Sequence, residues 1–207
     1  MLKIKSDYFA AIASFRAKND IRFYLNSVLI ETGPNGAYLV ATDGSAIAVA
    51  RINSAAMPES QVLICSDIAA MLAKQKNAVF VVTMPEQTGK FNAENGKRKI
   101  SIETLAHTGA STMVIEESEG VFPDWRRVAR HEVSDQVAFF APMYVQRVDD
   151  AARLIKGTTK GTPAGYLRPG GKGCGFATLD NDGLACAWVM PMRQTLADMP
   201  SAPAFIV

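Results

Sequence analysis

The feature that most constrains this chain is a short pattern that it repeats. A strand of alternating apolar residues leads through a cap residue into a helix, and several more strands follow. In the first occurrence Leu2 and Ile4 alternate with lysines, Ser6 and Asp7 carry side-chain oxygens suited to capping a helix, and Tyr8, Ile12 and Phe15 fall on one helical face. Strands are expected over 22–31, 37–41 and 46–52, broken at Gly33-Pro34-Asn35-Gly36 and at Asp43-Gly44. The second occurrence has its strand at Val62-Leu63-Ile64, its cap at Ser66-Asp67 and a helical stripe of Ile68, Met71 and Leu72. Strands over 79–83, 90–93, 99–104 and 112–115 complete it, the middle pair joined by Glu94-Asn95-Gly96. The third runs from a strand over 137–140 into Pro142 at a first helical turn, then Tyr144, Val148 and Ile155, then strands over 165–168, 175–179 and 184–190.

Such a pattern predicts an α+β fold with antiparallel sheets, and taken alone it implies no function. A domain boundary is expected at Phe122-Pro123-Asp124-Trp125-Arg126-Arg127-Val128 and the polar stretch behind it. The division is then a two-unit domain over 1–128, a one-unit half domain over 129–193, and a tail over 194–207.

Composition excludes several classes of function. The net charge is +2, so any affinity for nucleic acid must come from local placement of cations. Cys65, Cys174 and Cys186 lack a CxxC partner and sit among apolar residues or glycines; they read as reduced, buried thiols of a cytoplasmic protein. The start lacks the apolar core of a signal peptide, and no apolar run is long enough for a membrane span. His107 and His131 have no evident nucleophile or carboxylate partner, so neither a catalytic triad nor a metal centre is expected, and no cofactor. The cluster Gly170-Gly171-Lys172-Gly173-Cys174-Gly175 lacks the Ser or Thr and the following helix of a phosphate-binding loop; it reads as a turn. Glu116-Glu117 and Asp149-Asp150 read as solvated charges.

Basic residues recur near the helices: Arg16 and Lys18 after the first, Lys74 and Lys76 after the second, and Arg147, Arg153 and Lys156 on the third. Two accounts fit them. Cations near helix C-termini complement the helix dipole, or several short helices present a sequence-independent, phosphate-facing surface.

Four strings are more specific. Arg22-Phe23-Tyr24-Leu25-Asn26-Ser27-Val28-Leu29, Val40-Ala41-Thr42-Asp43-Gly44-Ser45-Ala46-Ile47-Ala48-Val49, the segment 122–128 quoted above, and Val189-Met190-Pro191-Met192-Arg193 resemble, in the right order, the bacterial sliding clamp, the β subunit of DNA polymerase III. Residues 1 to about 128 resemble that family's middle domain, and about 136–193 the second half of its last domain. The resemblance implies a DNA-clamp fold of repeated β-α-β-β-β units, with helices lining a central hole and antiparallel sheets outside. It also implies a non-enzymatic role: holding duplex DNA and docking peptide motifs of DNA polymerase, clamp loader and repair proteins.

Carried over position by position, the implied peptide pocket is Leu25, Thr42, Gly44, Ser45, Ala46, Ile47, Pro123, Arg127, Val128, Trp188, Met190, Pro191, Met192 and Arg193. Its apolar members give an adaptable floor for leucine or phenylalanine anchors, and Arg127 and Arg193 suit the polar atoms of a peptide. Ser45-Ala46 stands where the family commonly has His-Arg, and Trp188 where it has a smaller residue; both bear on ligand preference. Three units per chain against twelve in a family ring imply a homotetramer, with the third unit paired to its equivalent in a neighbour. The competing expectation is a pocket-only adaptor or decoy for clamp-targeted peptides, and a generic α+β enzyme is a weaker third. Gln194-Thr195-Leu196-Ala197-Asp198-Met199 loosely matches the glutamine-and-leucine motif that clamps bind, although a plain chain end accounts for it as well.

Overall fold

The computed structural model describes residues 1–53, 55–85, 89–92, 96–129, 138–158, 165, 167–169 and 174–192. Arg193, His131, the 194–207 tail, glycines 170, 171 and 173 and the Glu94-Asn95 turn lie outside the described residues. The first unit contributes β1 (Leu2–Lys5), α1 (Ser6–Ala13), β2 (Val28–Gly33), β3 (Gly36–Thr42) and β4 (Ala46–Asn53). The second contributes β5 (Ser60–Ile64), α2 (Ser66–Leu72), β6 (Val79–Thr83), β7 (Lys99–Ala106) and β8 (Gly109–Glu116). The third contributes α3 (Pro142–Lys156), β9 (Arg168–Pro169), β10 (Gly175–Thr178) and β11 (Ala185–Val189).

The first two units exchange their opening strands. β1 pairs antiparallel with β6, giving a sheet β1-β6-β7-β8, while β5 pairs antiparallel with β2 in a sheet β5-β2-β3-β4-β11-β10-β9. Neither unit closes its own sheet, so the two share one core. β1 shows the reason in miniature: Leu2 and Ile4 are buried and the lysines between them are exposed, so the strand is driven onto whichever apolar face accepts both. Phe9 of α1 meets Phe80 of β6 edge-on, ring centres 5.5 Å apart, at the seam.

The third unit extends the larger sheet through β11, which pairs antiparallel with β4 from Ala46↔Val189 to Ala50↔Ala185. On the face toward the helices this junction is built from Ala46, Ala48, Ala50, Ala185 and Ala187, all buried. Small side chains let helices approach the sheet closely, and α1 packs against α3 over it, with Val148, Ala151 and Ala152 of α3 in the same core. Gly175 is required by this packing, since a Cβ there would fall 2.5 Å from Leu167 and 2.7 Å from Phe140. α3 starts at Pro142 as expected and stops at Gly157 in the left-handed conformation.

Several expectations are corrected. The strand expected over 22–31 begins as a 3-10 turn, Phe23–Asn26, because Asn26 folds back on the backbone of Asp20 and local hydrogen bonds replace the ladder. Among the described residues 90–92 form no strand, and Gly89 just before them is tied to β5 by an isolated bridge with Ser60. Residues 138–140 likewise lie outside any strand, and the strand expected over 165–168 is the shorter β9. Ser6 does not cap α1: it is the first helical residue, and its buried hydroxyl instead accepts the Ala78 N–H at 3.1 Å while its own N–H donates to Ala78 O. Ser66 also begins its helix, with no side-chain cap from Cys65 before it. The three cysteines are free but only half-buried.

Glu117 is not a solvated charge. Its carboxylate accepts from Arg98 Nε at 2.7 Å and Nη2 at 2.6 Å, with the two side chains 1% and 5% exposed. Arg98 Nη1 donates onward to Gly89 O at 3.0 Å, and Nη2 to Gln61 O. This fork ties the β7–β8 end of one sheet to β5 at the edge of the other. Asp149 is likewise paired, with Arg153 one turn along α3.

Two outcomes are expected. Glu117→Gln, which strands a buried guanidinium, lowers unfolding stability in urea by about 3 kcal/mol, whereas Arg98→Met with Glu117→Leu recovers most of it. Burial and the neighbouring Asp180 carboxylate push the Tyr8 phenol, which donates to Asp180 Oδ2 at 3.1 Å, up to about 12 from 10.0. Because the folded state raises this value, the stabilisation is complete below pH 10 and declines toward pH 12; tyrosinate absorbance of folded protein, compared with Tyr8→Phe, checks it.

Candidate functional site

The outer face of the large sheet carries a second apolar cluster: Leu29, Val40, Ile47, Val49, Leu63 and Trp188, covered by Phe122 and Trp125. This cover explains why β2 is buried at every position instead of alternating. It is held by Glu31, a nearly buried carboxylate. Glu31 accepts from Gln61 Nε2 at 2.6 Å and from Trp125 Nε1 at 3.3 Å, and pairs with Arg126. The Arg126 guanidinium in turn stacks over Trp125 at 4.2 Å and Tyr38 at 5.3 Å.

Beside this cover is a largely apolar cavity of about 190 Å³ with three walls. The first is the β3–β4 turn with Leu25 behind it. Thr42 Oγ1 donates to Ala46 O at 2.7 Å and accepts from Gly44 N at 3.0 Å, and Asp43 Oδ1 accepts from the Ser45 and Ala46 N–H groups, both at 2.9 Å. Gly44 has φ +92°, and a Cβ there would stand 3.3 Å from Arg22 Nη2. Arg22 is itself clamped by Asp20, from Nε at 3.0 Å and Nη2 at 2.8 Å, and these bonds hold the Asp20 carboxyl down at about 2.

The second wall is Phe122, Pro123, Asp124, Trp125 and Val128. The third comes from the far end of the chain: Trp188, opposite Ile47 in the ladder, with Cys174 and Met190. Met190 N donates to Ser45 O at 2.8 Å, joining the third wall to the first. Phe176 backs Trp188, with ring centres 5.3 Å apart. Burial pushes the Cys174 thiol up, so it is a packing group here and not a ready nucleophile.

Of the residues named from the sequence, Leu25, Thr42, Gly44, Ser45, Ala46, Ile47, Pro123, Val128, Trp188 and Met190 line this one cavity. Arg127, Pro191 and Met192 do not. Arg127 is exposed, and the chain turns away after Met190 because Met192 N bonds Phe139 O at 2.7 Å. Arg22, Tyr24, Phe122, Asp124, Trp125 and Cys174 line it without having been named. For Phe122 and Trp125 a signal was present: two aromatics in an otherwise polar connection.

The cations lie on the opposite, helical side. Lys18, Lys74 and Lys76 are exposed and Lys156 is half-buried. Arg16 is partly buried, donating to Ala13 O at 2.9 Å. Arg147 is engaged by Asp43 Oδ2 at 2.6 Å and packs over Tyr144, and Arg153 is engaged by Asp149. Asp43 therefore serves both sides of the sheet, its Oδ1 shaping the cavity turn and its Oδ2 holding α3. Among the described residues no group of His, Cys, Asp and Glu side chains is placed to hold a metal ion, and no helix is long and apolar enough to cross a membrane.

The two roles of Asp43 are separable. Asp43→Asn retains the Oδ1 acceptor and is expected to cost about 1 kcal/mol in thermal unfolding, while Asp43→Ala costs about 2 kcal/mol and speeds hydrogen exchange at the Ser45 and Ala46 amides. Equal losses and unchanged exchange in the two variants contradict this division.

No protein-family model matches the chain, and no curated protein matches it in sequence. Solved structures do. The DNA polymerase III β subunit of Pseudomonas aeruginosa is similar over 93% of this chain and 65% of its own, with 14% identity and a TM-score of 0.62. The β subunit of Thermotoga maritima gives the same coverages, 13% identity and a TM-score of 0.56. The Helicobacter pylori β clamp bound to a DNA ligase peptide gives 10% identity and a TM-score of 0.55. The chain thus spans about 65% of the length of these structures. Its α+β architecture, with antiparallel sheets and short helices on one side, is the fold of the bacterial sliding clamps.

Proposed function

We propose that the cavity between the β3–β4 turn, the 122–128 segment and β11 docks short peptide segments of replication or repair proteins, and that the chain works as a clamp-like processivity factor on duplex DNA. The observation that carries this reading is the assembly of one apolar cavity from chain segments at opposite ends of the sequence, joined by the β4–β11 ladder. A narrow apolar cavity rimmed by the exposed Val128 and Met190 suits an extended segment with one large apolar anchor. The H. pylori clamp, of the same fold, binds a DNA ligase peptide.

For the DNA we assign the helical side. Lys18, Lys74 and Lys76 are exposed there and make sequence-independent phosphate contacts that weaken with salt. Residues 1–128 act as a complete two-unit domain and 129–193 as a half domain. Four chains of three units make twelve, so the working form is a tetrameric ring in which third units pair across a two-fold axis.

One observation favours a second reading, an adaptor that binds clamp-targeted peptides without encircling DNA. Arg147 and Arg153, two of the cations that would face DNA, are already held by Asp43 and Asp149.

Fluorescence anisotropy with a labelled hexapeptide built on glutamine, two leucines and a phenylalanine tests the docking. Micromolar binding is expected for the native chain, with at least a tenfold loss for Ile47→Glu, which places a charge in the apolar wall. No binding by the native protein refutes the pocket reading. Retention on DNA separates the two readings: a ring stays on closed circles and is lost on linearisation, and light scattering returns a tetramer. An adaptor ignores both DNA forms.

A further inference from the structure

Among the described residues the two sheets end in four edge strands, and three of them are blunted. β1 is four residues long and exposes Lys3 and Lys5. β5 has its free side occupied already, since Gln61 N donates to Gly89 O at 2.9 Å and Ser118 N to Leu63 O at 2.8 Å. β9 is two residues long, and one of them, Pro169, has no N–H to offer. Short length, lysines, proline and a covering segment are the means by which sheets avoid pairing edge to edge.

β8 shows none of these devices. It runs for eight residues, Gly109–Glu116, with no lysine, arginine or proline, and its register with β7 is unbroken from Lys99↔Glu116 to Ala106↔Gly109. Glu117 N donates to Arg98 O at 2.9 Å just beyond the strand, so the odd-numbered residues bond to β7. The alternation of an antiparallel ladder then turns the N–H and C=O groups of Ala110, Thr112, Val114 and Glu116 outward, where no described strand meets them. Val114 is 65% exposed. The strand is also complementary to its own copy: placed antiparallel with Met113 opposite Met113, Ala110 faces Glu116 and Thr112 faces Val114. This is the only register in which all four outward residues pair among themselves. It puts the two Glu116 carboxylates at opposite ends of the joint, each opposite an alanine, and sets the β-branched Thr112 and Val114 side by side.

We propose that β8 is the surface on which a second copy of this chain docks, its own β8 pairing antiparallel about a two-fold axis at Met113, so that the two β1-β6-β7-β8 sheets become one. The axis stands perpendicular to the sheet and keeps the helices of both copies on the same side. This inference deepens the tetrameric ring and rests on that reading: when third units pair at one end of each chain, the ring closes only through a second contact at the far end, and β8 supplies it.

Light scattering on the full chain at micromolar concentration is the test. Thr112→Pro removes an outward N–H without touching the ladder to β7, and Val114→Lys sets a cation on the edge of each copy. Both are expected to keep the native circular dichroism and to halve the native mass, from tetramer to dimer. Met113→Cys places two thiols opposite one another, in a pair whose Cα atoms stand about 4.5 Å apart, and is expected to give a covalent dimer under mild oxidation that the native chain does not give. Absence of that cross-link overturns the Met113 register. A native tetramer that keeps its mass in both edge variants overturns this inference and leaves the ring intact. A native dimer that both variants split into monomers supports the β8 joint and overturns the ring. A native monomer, or a native dimer that neither variant splits, overturns both.

Discussion

The ladder between β4 and β11 is the contact on which the rest of the described structure depends. It joins residues 46–50 to residues 185–189, so it fixes at once the width of the large sheet, the seat of α3 and the third wall of the cavity. The ladder is possible because its two faces have opposite requirements. Toward the helices it is nearly all alanine, which lets α1 and α3 come down onto the sheet. Toward the outside Ile47 and Trp188 stand opposite one another and create the apolar surface that the cavity exposes. Replacing an inward alanine by a large residue would separate helix from sheet, and replacing an outward residue would alter the cavity alone.

On the outer face, Glu31 does for the 122–128 segment what the ladder does for the strands. A carboxylate nine-tenths buried is tolerated only if its oxygens are satisfied, and Gln61, Trp125 and Arg126 satisfy them. The connection between the second and third units is thereby pinned to the first unit's sheet, and Pro123 and Val128 are delivered to the cavity rim. The buried fork of Arg98 and Glu117 performs the equivalent service between the two sheets.

The three helices and most of the strands were legible because they rest on local periodicity: the alternation of Leu2 and Ile4, the helical stripes, the glycine turns. Ten of the cavity's lining residues, among them Thr42, Ile47, Trp188 and Met190, were named from the resemblance of four strings to the clamp family and not from periodicity, which alone reads Met190 as a strand end in the core. What was not legible depends on partners far away in sequence. Glu117 looks like a surface acid until Arg98 is placed beside it, and Cys174 reaches the cavity only through the pairing of Gly175 with Val189. Arg22 and Tyr24 enter the wall because Asp20 and Asn26 convert an apparent strand into a turn. Pro191 and Met192 leave it because of one backbone hydrogen bond to Phe139, which no periodicity announces.

The register of that same ladder has a consequence for how the protein is made. Ile47 and Trp188 face each other across 188 − 47 = 141 positions of chain. Contacts of such separation form late, and during synthesis the first two units emerge and collapse well before β11 exists. The cavity is therefore absent from any product that ends before β11, however well its first two units fold. Whatever the cavity holds, it can be held only once β11 has paired with β4.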